Sequence, residues 1–503
     1  MLRKIIPVLV LAISCVLSLS EPALASFDET VNAALAPISK AVSSFIFFSV
    51  PLNGADIPLI VVWLIACSIF FTFYLRVLTP RNIITSLKMV RGDYADQNHE
   101  GQISHFKALT TALSGTVGVG NIGAVAFAIT IGGPGALFWI IVGGLLGASL
   151  KCAECTLGVK YRTKHADGSV SGGPMYYLEE GLKEKKLPGL GKIIGGMYAA
   201  FIVIGCLGIG NMFQSNQAYE QLQLVTGGAD GFLFGKGWLV GGIMAFIVGL
   251  VLIGGIQSIT RVTSKLVPGM AGIYFIAALI VIGLNIEALP GVITDVVTQA
   301  FNPAGITGGL FAVMIIGFRR STFSNEAGLG SSSIAHAAVK TNQPASEGLV
   351  GLLEPLIDTV IICPLTGLVI LLTVFSPEMV GGDVKGVQLT SAAFETVIWW
   401  FPNVLAIVIV LFAFSSIIAW GYYGQKGWIY LFGNNPAQNK MFLLIYCVFV
   451  LIGCTLDLGV IIDFSDAIVF CMALPNVLGL YFLAPIVKRE VGTYLEKLRS
   501  VET

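Results

Sequence analysis

Charged residues are scarce in this chain. Only 12% of its 503 residues are Asp, Glu, Lys or Arg, about half of the roughly 25% usual in a soluble domain. A soluble fold of this size needs polar surface to cover its core, and a disordered chain needs low hydrophobicity. Both classes are excluded. Neither sign of charge is in excess, since 29 basic residues face 29 acidic ones. No basic face is therefore available for a nucleic acid. Histidine occurs four times, as His99, His105, His165 and His336, with no HExxH or other metal spacing. A P-loop is missing, which argues against ATP-driven pumping by this chain. Gly118-x-Gly120-x-x-Gly123 matches the dinucleotide fingerprint by letters alone. It follows no predicted strand, lies in an apolar run and has no acid about 20 residues on. The residues thus point away from an enzyme.

What is present is apolar length. Hydrophobic residues make up 55% of the chain, and the mean hydropathy is +0.85. Glycine is also abundant, at 59 residues, which suits membrane helices that pack closely or break. The predicted fold class is an all-α polytopic membrane protein.

Residues 1–25 read as a secretory signal peptide. Arg3 and Lys4 precede the apolar run Ile5 to Leu19, and Ala23-Leu24-Ala25 is a small-x-small cleavage site before Ser26. An uncleaved signal anchor is the competing reading. Residues 26–56 read as an external amphipathic segment.

Eleven later stretches of roughly 20 apolar residues each are long enough to span a bilayer. They cover 57–77, 108–130, 136–158, 192–213, 237–257, 266–286, 306–334, 347–375, 403–424, 441–461 and 464–487. With an external mature N-terminus, eleven crossings put the tail 488–503 in the cytoplasm. Basic residues agree with that orientation: 21 fall on the cytoplasmic side, and only Lys40, Lys236 and Lys385 fall outside. The nine cysteines, Cys15 and eight others, lie in apolar stretches rather than external loops, so no disulfide framework is predicted. Cys152-x-x-Cys155 reads as core packing.

Two spans carry glycine-rich polar interruptions. One runs from Leu113 to Gly123, and the other from Gly317 to Ser331. Each interior glycine costs about 1 kcal/mol against alanine, and each charge at bilayer depth costs roughly 2.5–3.5 kcal/mol. The physical reading is a pair of discontinuous helices. Unwound backbone frees N–H groups, which suit a carboxylate, and carbonyls, which suit a hard monovalent cation. Close helix packing is the alternative reading. The interrupted spans are the second and seventh, and each opens a set of five. An odd number of spans per set inverts the second set against the first, the pattern of a secondary transporter with a central site.

Three motifs then carry a resemblance: Thr116-Val-Gly-Val-Gly-Asn-Ile-Gly123, Gly172-Gly-Pro-Met-Tyr-Tyr177, and Phe323-Ser-Asn-Glu-Ala-Gly-Leu-Gly330 with Ala335-His336-Ala337. The chain resembles the alanine or glycine:cation symporter family over about residues 57–490. These are bacterial sodium:alanine symporters with a LeuT-type five-plus-five inverted repeat (first repeat 108–286, second 306–487, one additional N-terminal helix at 57–77). Ser321, Ser332-Ser333 and Cys363 to Gly367 depart from the usual family pattern.

The resemblance implies sodium-driven uptake of small neutral amino acids, with no further cofactor. It implies backbone amides of Val119 and Gly120 for the substrate carboxylate, with Thr116 and Asn121 beside it and Phe323, Ser324 and Asn325 facing it. It implies sodium held by the carbonyls of Ser114 and Val117 and the hydroxyls of Ser415 and Ser416; back-bonding within the helix is the competing role for the serine pair. Glu326 is a candidate essential acid or structural charge, paired with Arg319 or Arg320. Glu354 and Asp358, at i and i+4, read as packing, hydrogen-bonding or proton-coupling groups. Lys151 and Glu154 read as a structural pair. Asn211, Gln214 and Asn216 close the fourth span and line an entry path, or simply polarise a helix end. Trp420, Tyr422 and Tyr423 read as interfacial anchors.

The expected protein is a symporter of the bacterial plasma (inner) membrane that contacts lipid, sodium and a small neutral amino acid. A proton-coupled or sodium-independent permease of the same fold is one alternative. A gated ion channel is the other.

Overall fold

The computed structural model describes residues 37, 39–52, 54–94, 100–165, 168–303, 308–382 and 386–502. The signal peptide, the start of the external segment, His99 and Lys385 lie outside the described residues.

A short antiparallel hairpin, β1 (Ser49–Leu52) with β2 (Ala55–Pro58), leads into α1 (Leu59–Leu75). The chain then turns by 92° into α2 (Pro80–Arg91). Thr79 caps α2 by accepting from the Asn82 N–H at 3.3 Å, Pro80 opens the helix, and Gly92 ends it with φ 101°. The first interrupted span follows as α3 (His105–Thr116) and α4 (Gly120–Gly132), with Ser104 capping α3. Next come α5 (Gly135–Lys160), α6 (Pro174–Glu184), α7 (Pro188–Val225), α8 (Gly237–Ile253), α9 (Gly255–Leu284) and α10 (Leu289–Phe301). The second interrupted segment begins as α11 (Gly309–Asn325) and resumes as the short helix Ser333–His336. The chain continues through α12 (Pro344–Thr373), α13 (Phe401–Phe432), α14 (Pro436–Gly453) and α15 (Leu458–Glu502).

Among the described residues, seven helices are long and apolar enough to cross a membrane, or nine if each bent pair is one span. Nine of the eleven apolar stretches read from the sequence match one of these spans; 237–257 matches the shorter apolar helix α8, and 306–334 holds α11 (Gly309–Asn325), which is not among them. The eight cysteines of the described region are buried and free.

The outward surface of α9 is apolar: Ile273, Phe275, Ile276, Leu279, Ile280 and Leu284 are all exposed. Such a face suits lipid rather than water. The inner helices pack through glycine instead. A Cβ at Gly143 of α5 would stand 2.5 Å from Ser321 Oγ, and one at Gly147 would stand 2.9 Å from the Ala327 Cβ. Small residues on α5 thus bring its backbone against the second broken segment.

Candidate functional site

The first break begins where Val117 leaves the helix, with φ −76° and ψ 91°. α4 resumes at 46° to α3, and its first turn, Gly120–Ala124, is wound as a π-helix. The freed amides have found side-chain acceptors. The Gly118 N–H donates to Asn121 Oδ1 at 2.9 Å, and the Val119 N–H donates to Gln214 Oε1 at 3.3 Å. A side-chain amide oxygen therefore occupies the Val119 amide that the resemblance had implied for a substrate carboxylate.

The second break is set by left-handed backbone. Glu326, Gly328 and Gly330 have φ of 58°, 88° and 75°. Glycine takes this conformation freely, whereas Glu326 takes it at a cost of roughly 1–3 kcal/mol. Its side chain accepts from the Ser331 hydroxyl, which holds the turn closed.

The two breaks meet over one buried carboxylate. Asp358 receives Asn121 Nδ2 at 2.6 Å from the first break and the Ser324 hydroxyl at 2.7 Å from the second. Thr359 donates a third hydrogen bond at 2.6 Å. Asp358 is wholly buried, and all three donors are neutral. Beside it, Gly120 faces the Phe323 ring, with 3.8 Å between a hypothetical Cβ and Cε1. Phe323 packs edge-on against Phe213 at 5.5 Å. A narrow cleft with a free volume of only about 10 Å³ approaches this region, lined by Gly123, Phe127, Phe213, Gln217 and Arg320 among others.

Of the four residues read as sodium ligands, two meet directly. Ser416 of α13 donates to the Ser114 carbonyl at 2.7 Å. Its neighbour Ser415 back-bonds to the Phe412 carbonyl at 2.9 Å. Thr116 likewise turns to its own helix, 3.4 Å from the Ala112 carbonyl.

Several expectations need correction. Arg319 and Arg320 do not pair with Glu326; both bind Asp466 of α15, Arg319 at 2.7 Å. Each guanidinium also lies over a ring, Arg319 over Phe47 and Arg320 over Phe127. Asn325 does not face the cluster around Asp358. It bonds Ser321 Oγ and the Ala327 N–H, and so braces its own break. Lys151 contacts Ser332 at 2.5 Å and Glu354 at 3.6 Å rather than Glu154. Glu154 instead receives Asn476 and the Gly328 N–H. Glu354 and Asp358 meet different hydrogen-bond partners: Glu354 contacts His336 and Lys151, whereas Asp358 contacts Asn121 and Ser324.

α7 does not end at Asn211. A π-turn at Gly208–Met212 passes through it, and the helix runs on to Val225. Asn211 and Asn216 donate to carbonyls of and beyond α14, which leaves Gln214 as the one of the three that reaches the break. Trp420, Tyr422 and Tyr423 are buried, not interfacial. Trp420 packs so close to Gly210 that a Cβ there would overlap the indole.

Sequence reasoning also missed a group of partners. His105, Glu347, His336, Glu354 and Lys151 form one buried chain of contacts. Its visible signal was two histidines and two acids in otherwise apolar sequence. Cys155, His336 and Glu354 are near enough to ligate a metal. The Lys151 ammonium beside Glu354 already places positive charge there and opposes a divalent cation.

Paired broken helices that meet over a buried carboxylate, inside a bundle of apolar spans, define a multi-pass membrane transporter. The chain belongs to the sodium:alanine symporter family, whose pattern matches residues 46–503. It is 37% identical to the sodium/alanine symporter AgcS of Methanococcus maripaludis, over 87% of this chain and 94% of that one. It is 31% identical to the amino-acid carrier protein AlsT of Bacillus subtilis, over 87% and 89%. The crystal structure of MhsT in complex with L-phenylalanine shares the fold, with a TM-score of 0.55 at 17% identity, covering 79% of this chain and 99% of that one.

Proposed function

We propose that this protein is a sodium-coupled symporter that brings small neutral amino acids, such as alanine and glycine, into the cell by alternating access. One observation carries the reading: the Ser416 hydroxyl and the Ser114 carbonyl, from two different helices, converge at 2.7 Å beside the first break. With the Val117 carbonyl and Ser415, they are the oxygens a sodium ion needs. Sodium entering between them would replace a hydrogen bond with coordination and so fix the kink.

The substrate carboxylate would displace Gln214 from the Val119 amide and sit against Val119 and Gly120. Thr116, Asn121, Phe323 and Ser324 would surround it. Asp358 carries the negative charge nearest the substrate. Glu326 and Arg320 hold the second break and its neighbour α15. The Gly120–Phe323 approach leaves little room, which favours small side chains.

The same proposal includes the arrangement of the chain. It has eleven spans, an additional N-terminal helix followed by a five-plus-five inverted repeat, in the inner membrane with the C-terminus in the cytoplasm. The support is that one interrupted helix opens each set of five. Uptake of labelled alanine into proteoliposomes tests the function. Saturable accumulation that follows an imposed sodium gradient is expected. Accumulation driven by a pH gradient alone, or current without amino-acid flux, would reject it.

A further inference from the structure

His336 is fully buried, and both of its ring nitrogens face carboxylates. Nδ1 lies 2.6 Å from Glu347 Oε1, and Nε2 lies 2.6 Å from Glu354 Oε1. A neutral imidazole has one N–H and one lone pair. In either tautomer, one nitrogen would present its lone pair to a carboxylate oxygen with no hydrogen between them. Two contacts of this length require a hydrogen in each. The group therefore holds one proton more than a neutral ring and two carboxylates carry.

The neighbours decide where that proton resides. Glu347 also contacts His105 Nδ1 through its second oxygen. Glu354 also receives the Ser332 hydroxyl at 3.4 Å and lies 3.6 Å from the Lys151 ammonium. Both carboxylates thus already accept from other donors, and Glu354 also faces a positive charge, so neither is placed to donate to the ring. The extra proton belongs on the ring.

We infer that His336 is a proton-binding site: an imidazolium clamped between Glu347 and Glu354, whose proton is a resident ligand of the transporter rather than a carried ion. The proton joins four parts of the fold. His105 begins α3, His336 follows the second break, Glu347 and Glu354 lie on α12, and Lys151 lies on α5. The clamp thereby ties the leading half of the first broken helix to the trailing half of the second. Its hydrogen-bond partners differ from those of Asp358, although Lys151 lies within electrostatic reach of that carboxylate too.

Other polar groups complete the surroundings. From α5 come Glu154 and Cys155, and from the end of α11 comes Glu326, which faces Tyr423 of α13. Arg162 donates to the Ala337 and Val339 carbonyls, just past His336. Loss of the proton would set a lone pair against a carboxylate in the middle of the chain and loosen this tie between the two broken segments, leaving the one at Asp358.

Only the uptake arm of the test rests on the symport reading. Full-length protein labelled with ¹⁵N-histidine has four rings to resolve. At about pH 7.5, roughly one unit above the midpoint of an ordinary histidine, one ring with two N–H nitrogens is expected. That signal should be absent from His336→Gln. In Glu354→Gln, which keeps the ring, it should become neutral at that pH. A neutral His336 in the wild type, or an imidazolium that persists in Glu354→Gln, would overturn the assignment. In proteoliposomes, alanine uptake by the wild type should fall about tenfold across the pH range in which the ring deprotonates. In His336→Gln it should be low and flat. A wild-type profile indifferent to that deprotonation would overturn the functional role. If the wild type took up no amino acid at all, the symport reading would fail while the nitrogen spectrum still judged the proton site.

Discussion

Ser416 of α13 donates its hydroxyl to the carbonyl of Ser114 across 2.7 Å, although 302 positions separate them in the chain. The contact fastens the last regular turn before the first break to a helix of the second half. The Gly118 backbone lies against the same hydroxyl, because a Cβ at Gly118 would stand 2.5 Å from Ser416 Oγ. Three residues thus converge where the proposed sodium ion would sit.

Ser416→Ala should raise the sodium concentration needed for half-maximal uptake, by about fivefold for the loss of roughly 1 kcal/mol of interaction. Alanine affinity at saturating sodium should change much less. A sodium titration of alanine uptake measures both, and an unchanged sodium response would remove Ser416 from the ion site.

Gly118 and Gly120 should respond differently to alanine. Gly118→Ala drives a methyl into Ser416 Oγ and crowds Gln214, so uptake should be abolished in protein that still reaches the membrane. Gly120→Ala meets only the Phe323 ring, at an ordinary 3.8 Å. That variant should fold, keep glycine uptake and lose alanine uptake preferentially. A substrate panel on the two variants checks the contrast.

Asp358→Asn keeps the shape of the side chain and removes its charge. The three donors from Asn121, Ser324 and Thr359 would then meet a neutral amide that offers one acceptor oxygen. Charged hydrogen bonds contribute about 1.5–3 kcal/mol, so sodium-driven accumulation should fall by at least about tenfold. Wild-type accumulation in this variant would show Asp358 to be structural only.

Asp466→Asn should act on stability before it acts on transport. Asp466 is wholly buried and holds Arg319 and Arg320 together, and Arg320 is itself buried. Removal of one member of a buried ion pair costs roughly 3–5 kcal/mol. A clear drop in the thermal midpoint of the purified protein is expected, and an unchanged midpoint would contradict the pairing.

Much of this architecture was legible before any coordinates. Apolar runs located the helices, because a bilayer-spanning helix needs about 20 apolar residues in a row. Glycines 118, 120 and 123, and 328 and 330, marked the two breaks, because glycine is unfavourable inside helices and free in left-handed backbone. The pairing of charges was not legible. Spacing along a helix linked Lys151 to Glu154 and Glu354 to Asp358, yet each of the four found its main partner elsewhere. Spacing along one helix says which residues share its surface, not which groups the neighbouring helices bring closer. Trp420, Tyr422 and Tyr423 misled for a related reason. Aromatic clustering suits an interface, but α13 is a central helix, and the glycine at 210 lets the indole pack inside.

By itself, then, the sequence determined the medium, the helices and the positions at which two of them unwind. Those features follow from local composition, through hydropathy and backbone freedom. Only the tertiary structure decided which charge meets which: Asp358 with Asn121 and Ser324, Asp466 with both arginines, His336 between two glutamates. A buried charge must find its partner wherever packing brings one within hydrogen-bond reach. That distance is set by how the helices assemble, not by separation along the chain.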